Sequence, residues 1–493
     1  MEMFVQDHVV AQLEAGLAQH SDLNQLLALA WHLRQRDTRR ALACVGQISQ
    51  LLRHAKLPRW QRLQITARMR LVQAEAHWLM AQPLAAEQKV SRALQHFTTL
   101  QDAAGLADGF WLRGWLASDQ GNALLRGRFW EQALQAAHKL DDRLRILFIQ
   151  ADHARSDAFA HHPSALARWQ APLSAALQEA DPAAAAAIHF FLGVAKSQSG
   201  NPGDGVTHYS HAYEFALKTG QRGTVILALA NAADNFNRLN DYQSALDWCQ
   251  RALDVARPTG WPRITGSCLL QCGNSLRLLG QLEAGHDMLR QTLVLLTPLP
   301  QSRSMALALH SMADLALDQG DFLAAQAYFE QLRQVASVLK QPEFTVGAKR
   351  GLAQTLLQLG RAEAALDMAQ QALHYAEKQQ LPEKQIEVLA VLADIHTRYI
   401  LPAQAPLTGA SPALYYLSQA QQLASQINGY TLPVKMLDAL AQAFAESGQL
   451  AAAFKASQEA ITARDKSHSG ATTNRAIAMQ VRIQTERAQA ESE

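Results

Sequence analysis

The sequence predicts an all-α protein, a right-handed α-solenoid built from roughly 10–11 stacked helix-turn-helix pairs. Pairs of small residues twelve positions apart return every forty residues, a period typical of stacked two-helix units. The composition is 48% hydrophobic and nearly lacks period-two runs of Val, Ile and Thr, which favours helices over strands. The repeating pairs are Gly193 and Gly205, Ala233 and Ala245, Gly273 and Gly285, Ala313 and Ala325, and Ala353 and Ala365.

Each place in the repeat has a physical role. A small residue in the first helix lets the second helix pack closely, where a larger side chain would force the pair apart. Proline is tolerated at the first position of a helix, so helix starts are predicted at Pro182, Pro262, Pro342 and Pro382. Asp181 is predicted to cap the first of these helices. The turns, which favour left-handed backbone, are predicted at Gly200, Asn240, Gly280, Gly320 and Gly360.

The period is strict only in the middle of the chain, which suggests three segments. Residues 1–180 are degenerate helical repeats rich in Trp, 181–465 are regular forty-residue repeats with an insertion near 400–412, and 466–493 form a polar linker helix. Large aromatic side chains are expected to fill the inter-helix space of the irregular part or to cap the stack. The alternative is a small-molecule pocket lined by Trp31, Trp60, Trp78, Trp111, Trp115, Trp130 and Trp169.

Segments such as ALDQGDFLAAQAYFEQL and LRLLGQLEAGHDMLRQTL resemble the tetratricopeptide repeat in its longer, forty-residue form. The tail SHSGATTNRAIAMQVRIQTERAQAESE resembles the linker between tetratricopeptide sensor regions and output domains in bacterial signalling proteins, such as GGDEF diguanylate cyclases and some histidine kinases. The segment LALAWHLRQRDTRRAL is similar to the opening of the same proteins. Because the sequence contains no GGDEF motif, kinase ATP site or helix-turn-helix reader, the resemblance implies a sensor region without its output domain.

The composition and charge of the sequence limit the classes of partner that the chain is expected to bind. A formal net charge of +2 disfavours nucleic acid as the main partner. The sequence shows neither a signal-peptide pattern nor an apolar run long enough for a membrane span, and its four Cys do not suggest a disulfide framework, so a cytoplasmic protein is expected. The Arg-rich stretch from Arg34 to Arg70 is interpreted as solvated helix faces, with a docking patch for an acidic partner as the alternative.

Motifs for catalysis are missing, so the chain is predicted not to be an enzyme and to need no cofactor. The Gly-rich segment SQSGNPGDG falls in the repeat register as a turn and a packing position, rather than as a phosphate cradle. His208 with His211, and His161 with His162, each offer two metal ligands, and the sequence supplies no third, so no metal site is predicted.

The resemblance to tetratricopeptide repeats implies a concave groove lined by the first helix of each pair. Polar residues recur on that face of helices otherwise rich in Ala and Leu, and they are candidates for contacting a peptide through backbone or carboxylate groups. Solvated polar residues within a wide solenoid are the alternative interpretation. The candidates are Asn231, Asp234, Asn237, Arg238, Asn274, Arg277, His310, Asp314, Arg350, Gln354, Asp394 and Arg398.

These observations predict a non-catalytic sensory and protein-interaction module. Its partner is a peptide or protein in the groove, and it regulates a signalling output domain through the C-terminal helix, with cyclic-di-GMP synthesis as the output that the resemblance implies. A homodimer formed through the same helix is left open. The alternatives are a small-molecule sensor that uses the Trp-rich segment and a regulatory scaffold of a transcription factor or histidine kinase.

Overall fold

A computed structural model describes residues 1–19, 22–159, 163–199, 201–239, 241–401, 411–427, 430 and 432–464. The regular structure in these ranges is helical. Most of the predicted insertion (402–410) and the whole predicted linker helix (466–493) lie outside the described residues. No helix in the described ranges is long and apolar enough to cross a membrane.

The described helices follow one another through short connections. The first fourteen are α1 (Asp7–Gln19), α2 (Leu23–Leu33), α3 (Thr38–His54), α4 (Arg59–Leu79), α5 (Pro83–Leu100), α6 (Ala103–Asp119), α7 (Ala123–His138), α8 (Arg143–Phe159), α9 (Pro163–Ala176), α10 (Pro182–Gln198), α11 (Pro202–Lys218), α12 (Arg222–Arg238), α13 (Tyr242–Ala256) and α14 (Pro262–Leu278). The others are α15 (Leu282–Leu296), α16 (Arg303–Asp318), α17 (Phe322–Leu339), α18 (Pro342–Gln358), α19 (Ala362–Lys378), α20 (Pro382–Arg398), α21 (Pro412–Gln426), α22 (Val434–Glu446) and α23 (450–464). Short 3-10 turns cover Leu177–Glu179 and Arg257–Thr259.

The described residues divide into two compact units. Unit 1 comprises Met1–Ser275 and Val294–Leu299, and unit 2 comprises Leu276–Leu293 together with residues 300–464. Within each unit, consecutive helices pack against one another, and the first helix of a pair also contacts the first helix of the next pair, as α4 contacts α6 and α18 contacts α20. This stacking confirms the predicted all-α solenoid. The boundaries that the sequence suggests at 180 and 465 mark changes in repeat regularity and remain a prediction.

The repeat register is confirmed at its helix ends. Helices α10, α14, α18 and α20 begin at the four predicted prolines. Asp181 accepts a hydrogen bond from the Ala183 amide at 2.8 Å and so caps α10. Gly280, Gly320 and Gly360 have φ values of 77°, 75° and 74°, the left-handed conformation that glycine adopts without strain. The other two predicted turn residues, Gly200 and Asn240, lie outside the described residues.

Close helix packing depends on the predicted small residues. A Cβ atom placed on Gly193 would lie 2.7 Å from the Tyr209 ring, which belongs to the next helix of the same pair. A Cβ on Gly205 would lie 2.3 Å from Nδ2 of Asn235 and 2.7 Å from Oγ of Ser197. Gly205 of the Gly-rich segment is therefore a packing position, as its register predicts, while the turn predicted at Gly200 falls outside the described residues.

The Trp residues belong to unit 1, which contains all nine. Trp31, Trp78, Trp111, Trp130 and Trp169 are buried, whereas Trp60 is exposed. Glycine makes room for one of the indoles, because a Cβ on Gly114 would lie 2.1 Å from Nε1 of Trp130. Most of these aromatic residues therefore fill inter-helix space, which is the first of the two interpretations drawn from the sequence.

The interpretation of the Arg-rich stretch as solvated helix faces is wrong for two of its members. The exposed fraction of Arg34 is 1% and that of Arg68 is 5%, although Arg53, Arg59 and Arg62 are exposed as expected. Arg34 and Arg68 tolerate burial because each forms an ion pair with a buried carboxylate. The partner lies on the first helix of the next pair, Glu75 on α4 for Arg34 and Asp108 on α6 for Arg68.

Candidate functional site

Four successive first helices of unit 1 contribute to a buried charged network. Arg34, directly after α2, pairs with Glu75 on α4 at 2.8 Å. Arg68 on α4 and Arg145 on α8 both pair with Asp108 on α6, at 2.5 and 2.9 Å. All five side chains are at most 6% exposed. The network therefore ties these helices together along one face of the stack, and α4 contributes to both ends of it through Glu75 and Arg68.

The electrostatics around Asp108 favour ionised groups, whereas burial lowers the pKa of Arg34 below its usual value. Burial alone would raise the pKa of Asp108, but the charges of Arg145 and Arg68 outweigh it and hold that pKa below its usual value. Burial lowers the pKa of Arg145, whereas the Asp108 and Asp142 carboxylates raise it, and the net direction is upward. Three buried guanidinium groups thus face two buried carboxylates, and guanidinium N–H donors remain for other acceptors.

Those donors are taken up by main-chain carbonyl groups of the N-terminal segment, residues 1–6, which is not helical. Arg34 donates from Nη2 to the Met3 carbonyl at 2.8 Å, and Arg145 donates from Nη2 to the Met1 carbonyl at 2.7 Å. Nε1 of Trp31 donates to the Glu2 carbonyl at 2.7 Å. Arg36 also donates to the Val5 carbonyl. Four of the first five carbonyl groups therefore accept a hydrogen bond from a side chain of α2, α8 or the turn that follows α2.

The side chains of the segment are buried as well. Met3, Phe4 and Val5 are 1%, 3% and 6% exposed. The Phe4 ring lies 5.2 Å from the Phe148 ring, and the Arg34 guanidinium lies 4.5 Å above the Phe4 ring centre. Unit 1 thus holds a non-helical stretch of chain, which bends at Met3 and Phe4, by two kinds of contact: hydrogen bonds to its backbone and an apolar site for its side chains.

A second group of indoles extends the same face of the unit. Trp111 and Trp115 donate to the Asp152 carboxylate at 2.8 and 3.1 Å, and Trp78 donates to Asp119 at 2.7 Å. Arg155 also pairs with Asp152, at 3.0 Å. Because their N–H groups are bonded to carboxylates, these three indoles act within the fold, which weakens the alternative of a Trp-lined small-molecule pocket.

The predicted groove residues of unit 1 lie on α12 and α14. Asp234 and Arg238 pair at 3.1 Å, and Arg238 also donates to the Ser197 carbonyl at 3.2 Å. Asn237 is 8% exposed and donates to Oγ of Ser275 at 2.9 Å, so its amide serves a contact between helices. Asn231 on α12 and Asn274 on α14 are half-buried.

The predicted residues of unit 2 form a row of polar contacts from helix to helix. Arg277 pairs with Asp318 at 2.6 Å. Arg350 lies 3.5 Å from His310 and 4.0 Å from Asp314, and it donates to Gln354 at 3.3 Å. Arg398 pairs with Asp394 at 2.8 Å and donates to Gln358 at 3.4 Å. The polar side chains of this row therefore form ion pairs and hydrogen bonds with one another.

The network around Arg34 was not among the sequence candidates. Its signal is complementary residue types about one repeat apart: Arg34 and Glu75, or Trp111 and Asp152, are separated by 41 positions. Complementary pairs at the repeat length are therefore a sequence feature that identifies such contacts. No comparable signal identifies the N-terminal segment, because the contact between Met1 and Arg145 spans 144 positions and has no local pattern.

No protein-family model and no curated protein matches the sequence. Among solved structures, a Rap protein complexed with Competence and Sporulation Factor is 13% identical and has a TM-score of 0.55, covering 75% of this chain and 99% of that one. The apo form of the quorum sensor NprR from B. thuringiensis is 16% identical, covers 73% and 98%, and has a TM-score of 0.48. NprR in complex with its cognate peptide NprX is 16% identical, covers 71% and 99%, and has a TM-score of 0.44. At these identities the likeness concerns the fold alone, a tetratricopeptide-like α-solenoid.

Proposed function

We propose that this chain is a non-catalytic regulatory module that binds a non-helical peptide segment on the face of unit 1 formed by α2, α4, α6 and α8. The observation behind the proposal is that this face holds residues 1–5 through their main-chain carbonyl groups and buries Phe4. Arginines that donate to carbonyl groups bind the backbone of a segment whatever its side chains, whereas the aromatic site selects for an apolar side chain.

The regulatory part of the proposal rests on the position of residues 1–5 and on the fold. Residues 1–5 occupy the face in the way a ligand peptide would, so a partner segment competes with them for the same donors. The Rap protein of similar fold is complexed with Competence and Sporulation Factor, which agrees with a binding role for a solenoid of this kind.

Two parts of the proposal concern other regions. The polar row of unit 2, from Arg277 to Arg398, is proposed to contact a partner's backbone and carboxylate groups by exchanging its internal ion pairs. Residues 466–493 are proposed to join the module to an output domain, with a diguanylate cyclase or a histidine kinase as the candidates from the sequence resemblance and cyclic-di-GMP synthesis as the output in the first case.

A direct experiment uses a chain that begins at residue 7 and an amidated, fluorescently labelled peptide with the sequence of residues 1–6. Fluorescence anisotropy should show saturable binding, because the Arg34 and Arg145 donors and the aromatic site are then open. A peptide with Phe4→Asp is the matched control and should bind at least about tenfold more weakly, since a carboxylate replaces the buried ring. Equal binding of both peptides, or binding of neither, contradicts the proposed function.

A further inference from the structure

Three histidines of unit 1 face one another across a pair of neighbouring helices. His189 lies on α10, and His208 and His211 lie on α11. The Nδ1 atoms of His189 and His208 are 3.0 Å apart, and the ring centres of His189 and His211 are 4.9 Å apart. One ring nitrogen from each residue lies within 4.8 Å of the other two, and all three side chains are half-buried.

Helix packing supplies the third histidine that the sequence pattern did not. His208 and His211 are three positions apart, so they share a face of α11. Gly193 stands one turn after His189 and packs against Tyr209, the residue that follows His208. The close approach of α10 and α11 at Gly193 therefore brings His189 to the pair. The sequence-based prediction of no metal site stopped at two ligands because this contact joins different helices.

We propose that His189, His208 and His211 bind one divalent transition-metal ion of the zinc class, with water as the fourth ligand. Zinc takes imidazole nitrogens at about 2.0–2.1 Å in tetrahedral geometry, which places neighbouring nitrogens about 3.3 Å apart. The present nitrogen separations, from 3.0 Å to at most 4.8 Å, reach that geometry through side-chain rotation. Imidazole suits zinc, copper, nickel and cobalt, whereas calcium and magnesium prefer oxygen ligands.

The surroundings hold the imidazoles in position. The Phe215 ring stacks on His189 at 5.7 Å with an interplanar angle of 14°, which holds that ring in place. Lys196, the nearby cation, is paired with Asp204 at 3.4 Å.

Metal binding is tested on the untagged full chain after removal of metal with a chelator. Zinc is titrated in competition with a chromophoric chelator, and cobalt is titrated separately because tetrahedral cobalt absorbs visible light. One ion should bind, and His189→Phe, which preserves the stack on Phe215, should weaken binding at least about tenfold, as should His208→Gln. His374→Gln removes an exposed histidine of α19 and should leave the affinity unchanged.

The variants decide the outcome, because the chain contains 18 His and surface histidines bind metal weakly. Unfolding of unit 1, followed by Trp fluorescence, gives a second readout. Zinc at 100 times its dissociation constant should lower the unfolding equilibrium constant about 100-fold in the unmodified chain. It should have no such effect in the His189→Phe variant. Binding that His189→Phe leaves intact, or cobalt spectra without a tetrahedral band, overturns the proposal.

Discussion

Replacing Asp108 by alanine is expected to destabilise unit 1 by about 3–5 kcal/mol, the largest effect expected of a single substitution in this chain. The substitution removes the fully buried carboxylate that Arg68 and Arg145 share and leaves them the less buried carboxylates of Asp102 and Asp142. Removing one partner of a buried ion pair costs far more than losing a hydrogen bond. Chemical denaturation followed by Trp fluorescence measures the change selectively, because all nine Trp belong to unit 1.

Glu14→Ala is the matched control for this prediction. It breaks an ion pair of the same unit, Arg40 with Glu14 at 2.6 Å, whose side chains are 56% and 40% exposed. An exposed pair contributes about 0–1 kcal/mol, so this variant should unfold almost as the unmodified chain does. The fold lowers the pKa of Asp108. The stability that this carboxylate contributes to unit 1 is therefore fully present above its unfolded pKa of about 3.9, and it is lost as pH falls through the folded pKa. A difference of less than about 1 kcal/mol between the two variants near pH 7 contradicts the network's role.

The second large effect is a gain of peptide affinity when the N-terminal segment is removed. A tethered segment acts at an effective concentration on the order of 1 mM, so it masks a site with a dissociation constant on the order of 10 μM by about 100-fold. The chain beginning at residue 7 should therefore bind the labelled peptide of residues 1–6 about 100 times more tightly than the full chain. Fluorescence anisotropy on both chains measures the ratio.

A full chain carrying Phe4→Asp provides the control for truncation. The carboxylate cannot stay beside the Phe148 ring without cost, so the segment should leave its site while the chain length is unchanged. This variant should bind the peptide like the truncated chain. If the full and truncated chains bind the peptide equally, the segment does not compete for the site and the regulatory part of the proposal fails.

The features that the sequence predicts correctly are those with local causes. Proline at the first position of α10, α14, α18 and α20 and left-handed glycine at 280, 320 and 360 depend on the backbone of a few residues. Gly193 and Gly205 depend on close contacts with neighbouring helices, Gly193 with α11 and Gly205 with α10 and α12. A strict period converts such local rules into a fold, because every unit repeats the same contact.

The features that the sequence leaves open depend on contacts between distant residues. Arg34 can be buried because it pairs with Glu75 on another helix. Phe4 is held in place by its contact with the Phe148 ring, which is far away in the sequence. His189 meets His208 only because α10 and α11 approach closely at Gly193. The groove candidates from the sequence lie on the predicted helices, but side-chain pairing such as that of Asp234 with Arg238 is set by geometry that periodicity does not contain.

Photo-crosslinking tests most directly whether the face formed by α2, α4, α6 and α8 binds the peptide. The peptide of residues 1–6 carries a benzophenone side chain in place of Phe4, and it is irradiated with the chain that begins at residue 7. Mass spectrometry should locate the adducts in unit 1, on peptides that contain Phe148 or Arg34, the two groups against the Phe4 ring. Adducts concentrated in unit 2, on peptides that contain Arg277, His310 or Arg350, would contradict the account.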